Sequence, residues 1–473
     1  MPGAILSESQ TEKVIALEKD DGLIIHYPDK RDSEEISSLD LIVILPALEK
    51  SDEREYTILY LRSQKVRLNG SDEEETKYEV RRVTVSKLPE QVLKTYLITS
   101  RPSHLSVSQD SGTGPNIHAL VSTRAGIREA ERFFNDIVRD VFDSLGLSKK
   151  DYEVHYTTSD QSVKEFTSNI LLPRANAGIA QTVLLLSGDG GIVDVVNVLL
   201  QATQTKDYVK PSFGLLALGT GNALANSTGL NCDSTRGLRF FFQGHPHSLP
   251  TFAARFSPGS VMLKDEGRQT EPLLPDDAGT GILYGTVVCS WALHASLVAD
   301  SDTTEYRKFG SERFTMAAKE LLFPSDGSKP HTFRGSIATI KKDVDGKETL
   351  VPIDRKEHMY ILVALCSNMQ KELRISPDSK PLEGQLRFVH WGAVPSEETM
   401  RILGLAFQGG KHVQEAGVCY EPIEGLRIDF EEPEGRWRRI CVDGTIVRVE
   451  EGGWVEVRRE HRDVLDLIAD LSS

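Results

Sequence analysis

The stretch Thr182–Leu200 reads TVLLLSGDGGIVDVVNVLL and predicts a buried strand that turns directly into a helix. Apolar residues 183–186 have the length and flanks of a buried strand, and after the turn 187–191 the apolar residues resume at helical spacing. Glycines let such a turn approach a ligand more closely than a Cβ would permit. The free N–H groups at the start of the helix point into the turn, where a phosphate would bind. Asp189 lies in the middle, and a carboxylate beside phosphates can hold Mg²⁺ or accept a proton. A glycine turn without a ligand is the alternative.

The composition is that of a globular protein long enough for two or three domains, with 473 residues, of which 39% are hydrophobic and 26% charged. A net charge of −15 argues against a nucleic-acid partner, which needs a basic face. There is no run of about 18 apolar residues to span a membrane, and the first residues lack the pattern of a secretory signal. The five cysteines are far apart and never form CxxC, which is typical of a reducing compartment. We therefore expect a cytoplasmic protein.

Changes in pattern divide the chain into three predicted regions. Residues 1–112 are β-rich, favouring a small β-sandwich or a pleckstrin-homology-like fold, and the polar segment 100–115 is the predicted linker. Residues 113–255 alternate strands with helices, which predicts an α/β nucleotide-binding lobe with a doubly wound parallel sheet. Residues 256–473 carry strands separated by long loops, which predicts a lobe of mostly antiparallel β-sandwich. A helix is predicted at 462–471.

Further polar loops follow predicted strands of the α/β lobe, at the edge of the sheet where such sheets bind ligands. They are Ser122-Thr123-Arg124-Ala125-Gly126, Thr157-Thr158, and Gly219-Thr220-Gly221-Asn222. Neither GxGxxG nor GxxxxGK[ST] is present, which argues against a Rossmann dinucleotide site and a Walker-type NTPase.

Several motifs occur in a fixed order along the chain. They are Ser187-Gly188-Asp189-Gly190, Gly219-Thr220-Gly221-Asn222, the stretch ASLVADSDTTEYRKFGSERF at Ala295–Phe314, and Cys441-Val442-Asp443-Gly444. With these motifs the chain resembles the diacylglycerol kinase catalytic family, and within it the sphingosine and ceramide kinases. The resemblance covers about residues 115–460.

This resemblance implies a lipid kinase that transfers the γ-phosphate of Mg-ATP to a primary hydroxyl in a cleft between two lobes. Asp189 matches the residue expected to orient or deprotonate the acceptor hydroxyl. Lipid binding is implied for Ser187, Gly188, Gly190 and Asp300, although Asp302 or Ser296 could hold the place of Asp300. ATP binding is implied for Ser122, Thr123, Arg124, Thr157, Thr158, Gly191, Gly219, Thr220, Gly221, Asn222, Arg307, Arg313, Asp443 and Gly444. The motifs do not identify the ligands of Mg²⁺.

Some of these residues also have purely structural interpretations. Arg307 and Arg313 could form surface ion pairs with Glu305 and Glu312. Asp443-Gly444 is equally a hairpin-turn signal.

One position departs from the family pattern in a way that bears on activity. The family motif Asp-Gly-Glu reads Asp443-Gly444-Thr445 here, and threonine carries no charge. Because phosphoryl transfer depends on electrostatics and positioning, this change could slow or abolish it. The alternatives to a sphingoid-base kinase are therefore a diacylglycerol or ceramide kinase, or a catalytically impaired relative that binds lipid or nucleotide. We expect a lipid substrate reached through peripheral membrane contact, while the oligomeric state is left open.

Overall fold

The computed structural model describes residues 15–19, 21–27, 33–47, 55–67, 74–106, 114–276, 278–343 and 345–471. The segment 1–14, which the sequence predicts to lack a secretory signal, lies outside the described residues. Part of the predicted linker, 107–113, lies outside them as well.

Two three-stranded antiparallel sheets and one helix form the N-terminal region. Their bounds are β1 Ile15–Lys19, β2 Gly22–His26, β3 Glu34–Ser37, β4 Leu41–Pro46, β5 Tyr56–Arg67, β6 Glu74–Val85 and α1 Glu90–Tyr96. Strand β4 alternates between two cores: Leu41 and Ile44 belong to the region's own core, whereas Ile42 and Val43 pack against the α/β lobe. The pleckstrin-homology-like assignment stays a prediction.

The α/β lobe has strands that alternate with helices, as its sequence predicts. Its elements are β7 Ile117–Val121, α2 Ala130–Phe133, α3 Arg139–Ser144, β8 Tyr152–Tyr156, α4 Ser162–Phe166, α5 Leu172–Asn176, β9 Thr182–Ser187, α6 Asp189–Gln201, β10 Ser212–Ala217, α7 Ala223–Ser227, α8 Leu238–Gln243 and β11 His245–Ser248. π-Helical segments at Phe134–Val138 and Thr167–Leu171 join α2 to α3 and α4 to α5. Apolar residues of β9 alternate between the cores on the two faces of the sheet, which is why the whole strand is buried.

The second lobe is a large, mostly antiparallel β-structure around a core that includes Trp291, Phe252 and Phe388. Its elements are β12 Thr251–Phe256, β13 Val261–Lys264, β14 Gln269–Pro272, β15 Gly281–Gly285, β16 Val288–Ala292, α9 Leu293–Ser301, α10 Thr304–Arg307, α11 Glu312–Leu322, β17 Phe333–Lys342, β18 Glu348–Pro352, β19 Glu357–Ala364, β20 Leu386–Gly392, α12 Ser396–Ala406, β21 Val418–Ile423, β22 Gly425–Phe430, β23 Arg439–Val442, β24 Thr445–Arg448 and β25 Trp454–Glu460. The predicted fold class, an α/β lobe followed by a β-sandwich lobe, is confirmed.

The C-terminal segment returns to the first lobe, and the helix predicted at 462–471 is wrong. The segment instead forms strand β26, Asp466–Ala469, which pairs in parallel with β10 and antiparallel with β11. Buried side chains on consecutive residues of β26 fit a strand covered on both faces. Residues 462–471 thus add a strand to the α/β lobe, although the predicted division of the chain assigns them to the second lobe. The predicted boundary between residues 255 and 256 stays a prediction.

The strand order of the α/β sheet fixes the position of the site. The order is β11-β26-β10-β9-β7-β8, and all neighbours pair in parallel except β11 with β26. Counted along the chain, the parallel strands follow the order 2-1-3-4-5, whose crevice opens between the first and third strands. Here these are β7 and β9, followed by the loops at Ser122 and Gly188.

Candidate active site

Backbone hydrogen bonds hold the carboxyl ends of β7, β9 and β10 level with one another. The N–H of Ser122 donates to the carbonyl of Leu186 at 3.0 Å, and the N–H of Leu218 donates to the carbonyl of Ser187 at 3.1 Å. The loops that follow these strands therefore leave the sheet at the same edge.

A hydrogen-bonded pair of threonines joins the first of these loops to the loop after β8. The N–H of Thr123 donates to Oγ1 of Thr157 at 3.0 Å, and Oγ1 of Thr123 donates to the carbonyl of Thr157 at 2.8 Å. The N–H of Thr158 instead donates to the hydroxyl oxygen of Ser162 at 3.0 Å, at the start of α4. Arg124 is exposed. The structure thus brings the predicted nucleotide residues of β7 and β8 together.

The loops that follow β9 and β10 touch through their glycines. A Cβ added to Gly219 would lie 2.4 Å from the Cα of Gly188, closer than a real Cβ contact permits. Asn222 closes the second loop: its Oδ1 accepts from the N–H of Gly219 at 2.9 Å, and its amide donates to the carbonyl of Gly219 at 2.8 Å. Thr220 is exposed and Gly221 is half-buried. Glycine is required at 188 and 219 because two backbones pack directly together there.

Replacing Gly219 with alanine should therefore force these loops apart. We expect a loss of about 1–3 kcal/mol in the free energy of unfolding, as for other overpacked sites. The KM for ATP should rise at least about tenfold, which corresponds to 1.4 kcal/mol of lost binding. Urea unfolding and steady-state kinetics measure the two effects.

Gly190→Ala is the matched control, since a Cβ at Gly190 meets no atom within 4 Å and this residue lies in the first turn of α6. It should unfold at the same or higher urea concentration than the parent. A Gly219→Ala protein as stable as the parent would contradict the close contact of the loops.

Asp189 begins α6 and caps the next helix of the crevice. Its Oδ2 accepts from the N–H of Ala223 at 2.6 Å, and its Oδ1 accepts from the N–H of Leu224 at 3.1 Å, both in the first turn of α7. Burial raises the pKa of Asp189 to about 6, although these two hydrogen bonds act in the opposite direction. The first turn of α6 has no side-chain cap of its own, which leaves N–H groups available to a phosphate.

Asp443 and Gly444 form the turn of the β23–β24 hairpin, with φ values of 46° and 90°. Positive φ at both residues is typical of the type I′ turn that the sequence Asp-Gly favours. The carboxylate of Asp443 accepts hydrogen bonds from the backbone N–H groups of Thr286, Val287 and Val288 at 2.5–3.2 Å. Burial raises its pKa to about 7, and the charge of Asp189 contributes to this rise. The two carboxyl groups are therefore close enough to interact.

A largely apolar cavity of about 340 Å³ has both carboxyl groups in its wall. Of the predicted site residues, Asp189, Gly221, Asp443 and Gly444 line it. Its apolar lining includes Val287, Leu297, Val298, Phe314, Met369, Leu373, Ile375, Met400, Leu403 and Phe407. Ser187, Gly188 and Gly190, predicted to bind lipid, are not part of its lining.

Sequence analysis missed His294, which also lines this cavity. Its Nδ1 lies 2.7 Å from the hydroxyl of Ser290, and burial lowers its pKa to about 4, so that the ring is neutral at pH 7. The residue stands among apolar neighbours in a strand-to-helix junction, where one histidine gives no recognisable motif. Tyr360 and Cys441, to which the sequence analysis assigns no role, line the same cavity.

Asp300 lies outside this cavity. Its carboxylate contacts Arg436 at 3.0 Å and Arg439 at 2.7 Å, and it lines a separate cavity of about 510 Å³ with His331 and Trp437. Its predicted role toward the lipid stays a prediction, with two arginines already bound to it.

Arg307 and Arg313 share one acid, but not an acid that the sequence predicts. Both contact Asp302, at 2.9 and 3.3 Å, rather than Glu305 and Glu312. Arg313 is mostly buried and next to the cavity residue Phe314, whereas 57% of the Arg307 side chain is exposed. The structure therefore brings together the two arginines assigned to ATP phosphates.

The residues present fit a magnesium ion bound between phosphates and protein. Mg²⁺ usually takes one or two carboxylates and completes its shell with water and phosphate oxygens. Asp189 and Asp443 supply two interacting carboxyl groups at one cavity wall, each with a raised pKa that a nearby cation would lower. These are the residues that would hold the ion.

Part of this chain matches a known protein family, and about two thirds of it is similar to known kinases. Residues 116–253 match the model of the diacylglycerol kinase catalytic domain family. Sphingosine kinase 1 of Arabidopsis thaliana is 22% identical over 360 residues, which cover 68% of this chain and 67% of the relative. Human sphingosine kinase 1 is 21% identical over 357 residues, covering 69% of this chain and 85% of the relative.

Among solved structures, a diacylglycerol kinase from Bacillus anthracis str. Sterne aligns with a TM-score of 0.44 at 11% identity, over 76% of this chain and 98% of that chain. The family model spans the crevice loops and Asp189, and the similarity to the sphingosine kinases extends over about two thirds of the chain. The chain is therefore a lipid kinase that is similar to the sphingosine kinases and that matches the diacylglycerol kinase catalytic domain family over residues 116–253.

Proposed function

We propose that this kinase transfers the γ-phosphate of Mg-ATP to the primary hydroxyl of a sphingoid base. The observation that carries the proposal is the position of Asp189, a half-buried residue whose carboxyl group has a raised pKa and lies in the wall of an apolar cavity. A lipid whose chain fills the cavity would present its hydroxyl at this polar end. A general base with a pKa near the working pH is the arrangement expected for such a proton transfer.

The size of the cavity favours a single-chain acceptor. At about 340 Å³ it is near the small end of ligand pockets, which run from about 300 to 1,000 Å³. A sphingoid base has one hydrocarbon chain, whereas diacylglycerol and ceramide each have two. Cavity volume therefore supports a sphingoid base over these alternative acceptors.

The crevice beside the cavity supports the nucleotide half of the proposal. The uncapped N-terminus of α6 offers backbone N–H groups to phosphates, and the touching loops at Gly188 and Gly219 lie beside it. Arg307 and Arg313 would bind the γ-phosphate side, where a planar guanidinium can hold two oxygens at once. Bound Mg²⁺ would neutralise charge on the transferred phosphate.

Peripheral membrane contact is part of the proposal, because the acceptor resides in a membrane. Among the described residues, no helix has both the length and the apolar character needed to cross a bilayer. The side chain of Phe407 lines the cavity and is 49% exposed, which supports a cavity opening that faces the apolar surface of a membrane. A cytoplasmic location is proposed on the cysteine pattern.

The test is transfer from γ-labelled ATP with Mg²⁺ to sphingosine, dihydrosphingosine, phytosphingosine, ceramide and diacylglycerol, each presented in vesicles. Labelled sphingoid bases are expected, together with sedimentation of the protein with vesicles. Label on ceramide or diacylglycerol alone would overturn the acceptor assignment. No label on any lipid, with ATP still bound, would overturn the activity itself.

Thr445 favours a second candidate function, a regulatory protein that binds lipid or nucleotide with little catalysis. This residue begins β24 beside the Asp443 turn and supplies no carboxylate there. Of the two candidates, the retained Asp189 and the paired arginines favour the kinase.

Replacing Thr445 with glutamate separates the two candidates. If the parent is an efficient kinase, the rate of the Thr445→Glu variant should differ from that of the parent by less than about tenfold, because the site already works without this acid. If catalysis decayed with the loss of the acid, the rate should rise about 10²-fold or more, on the scale of other electrostatic contributions to catalysis. Initial rates at saturating ATP decide between them, with Thr445→Gln as the uncharged control.

A further inference from the structure

A histidine–glutamate cluster lies on the α/β sheet away from the lipid cavity. His118 is on β7, and Glu153 and His155 are on the neighbouring edge strand β8. In the parallel register His118 pairs with Glu153, and the i, i+2 spacing of Glu153 and His155 directs both side chains to one face. The topology thus brings together three potential metal ligands, although His118 is 35 and 37 positions away from the other two in the sequence.

The distances between the ligand atoms suit a small tetrahedral ion. Nδ1 of His118 lies 3.2 Å from Nε2 of His155, and one oxygen of Glu153 lies 3.9 and 3.7 Å from these two nitrogens. Zinc binds nitrogen and oxygen at about 2.0–2.2 Å, which places the ligands of a tetrahedron about 3.3–3.6 Å apart. A shift of a few tenths of an ångström would therefore bring all three atoms onto one ion.

The surroundings leave one side of the cluster open and hold the rest in place. The ring of Phe166 packs against both imidazoles, with centroids 5.4 and 4.7 Å away. His118 is fully buried, while 51% of the Glu153 side chain is exposed at the sheet edge. An ion could reach the cluster from this edge, and water could complete its shell.

We propose that His118, Glu153 and His155 form a zinc site with one water ligand. The ion would tie the edge strand β8 to β7 just before the Thr157 and Ser122 loops of the proposed nucleotide crevice. This site is separate from the transferred phosphate and from the magnesium carboxylates, so it holds whether or not the proposed acceptor is correct.

The test measures zinc directly on the full chain. The protein is stripped with chelator, titrated with Zn²⁺ alone, and assayed by calorimetry and by metal analysis after gel filtration. One zinc per chain is expected. Co²⁺ in its place should give the intense visible bands of a four-coordinate ion.

Variants assign the ion to this cluster. His155→Ala should weaken zinc binding about 100-fold. Glu153→Gln should weaken zinc binding about tenfold, and it should not disturb folding because the Glu153 side chain is half exposed. His247→Ala is the matched control, because His245 and His247 share the i, i+2 spacing on the edge strand β11. Zinc binding that survives His155→Ala and Glu153→Gln, or that is lost with His247→Ala, would overturn the proposal, as would an absence of stoichiometric zinc in the parent.

Discussion

Replacing Asp189 with asparagine should lower kcat for lipid phosphorylation by about 10²–10⁴-fold, the usual contribution of a positioned general base. Asparagine keeps the shape of the side chain but cannot take a proton from the acceptor hydroxyl. It retains one oxygen for the N–H groups of Ala223 and Leu224, so that the helix cap should weaken by only about 1 kcal/mol. Single-turnover transfer from labelled ATP, with unfolding measured in parallel, separates the two effects.

Asp233→Asn is the control for this experiment. The Asp233 carboxylate is also buried and accepts a backbone N–H, from Thr235 at 2.9 Å, but it is absent from the cavity lining. It should lose stability without losing kcat. Equal rates for the parent and Asp189→Asn would remove Asp189 from the catalytic role.

The raised pKa of Asp189 gives this prediction a pH dependence. Only the ionised carboxylate accepts a proton, so kcat/KM should rise as the pH increases toward the pKa of about 6 and level off above it. The stability of the fold should change in the opposite direction. Because the folded state binds this proton more tightly than the unfolded chain does, the stabilisation is largest below pH 3.8 and is lost as the pH rises through about 6.

The second large effect is expected for Asp443→Ala, on the fold itself. The substitution leaves the buried N–H groups of Thr286, Val287 and Val288 without their acceptor. Each such group costs about 1–3 kcal/mol, so the free energy of unfolding should fall by about 3 kcal/mol or more. Urea unfolding at pH 5.5 measures this loss, since Asp443, with a pKa of about 7, is then mostly neutral.

The loss should shrink at pH 8, where the parent itself carries a buried charge that the substitution removes. Asp429→Ala serves as the control, because Asp429 pairs with Arg427 at an exposed position. It should change stability by no more than about 0.5 kcal/mol. Equal losses in the two variants would show that Asp443 does not hold the β15–β16 turn.

Local patterns predict much of the α/β lobe because the relevant signals are short-range. The apolar run 183–186 and the glycines after it are enough to place β9, the turn and α6. The DG pair at Asp443 likewise predicts its hairpin, since the turn geometry depends on those two residues alone. The parallel direction of the strands in this sheet follows from the alternation of strands with helices.

The remaining features depend on contacts between residues distant in sequence. Asp300 binds Arg436 and Arg439, 136 and 139 positions away, and no pattern near Asp300 indicates these partners. Asp189 and Asp443 interact only because the two lobes close on one cavity. The segment 462–471 was mispredicted as a helix because its apolar spacing is ambiguous, and β10 decides its conformation.

The return of β26 to the α/β sheet has a consequence for synthesis on the ribosome. Lys210, two residues before β10, forms its ion pair with Asp466 across 256 residues of chain. At a synthesis rate of about 5–20 residues per second, β26 emerges roughly 13–50 s after β10. During that interval the nascent chain exposes an unpaired apolar strand edge, the kind of surface that chaperones bind. Truncations that stop before residue 466 should therefore yield aggregated protein, even though every residue of the predicted nucleotide crevice is present.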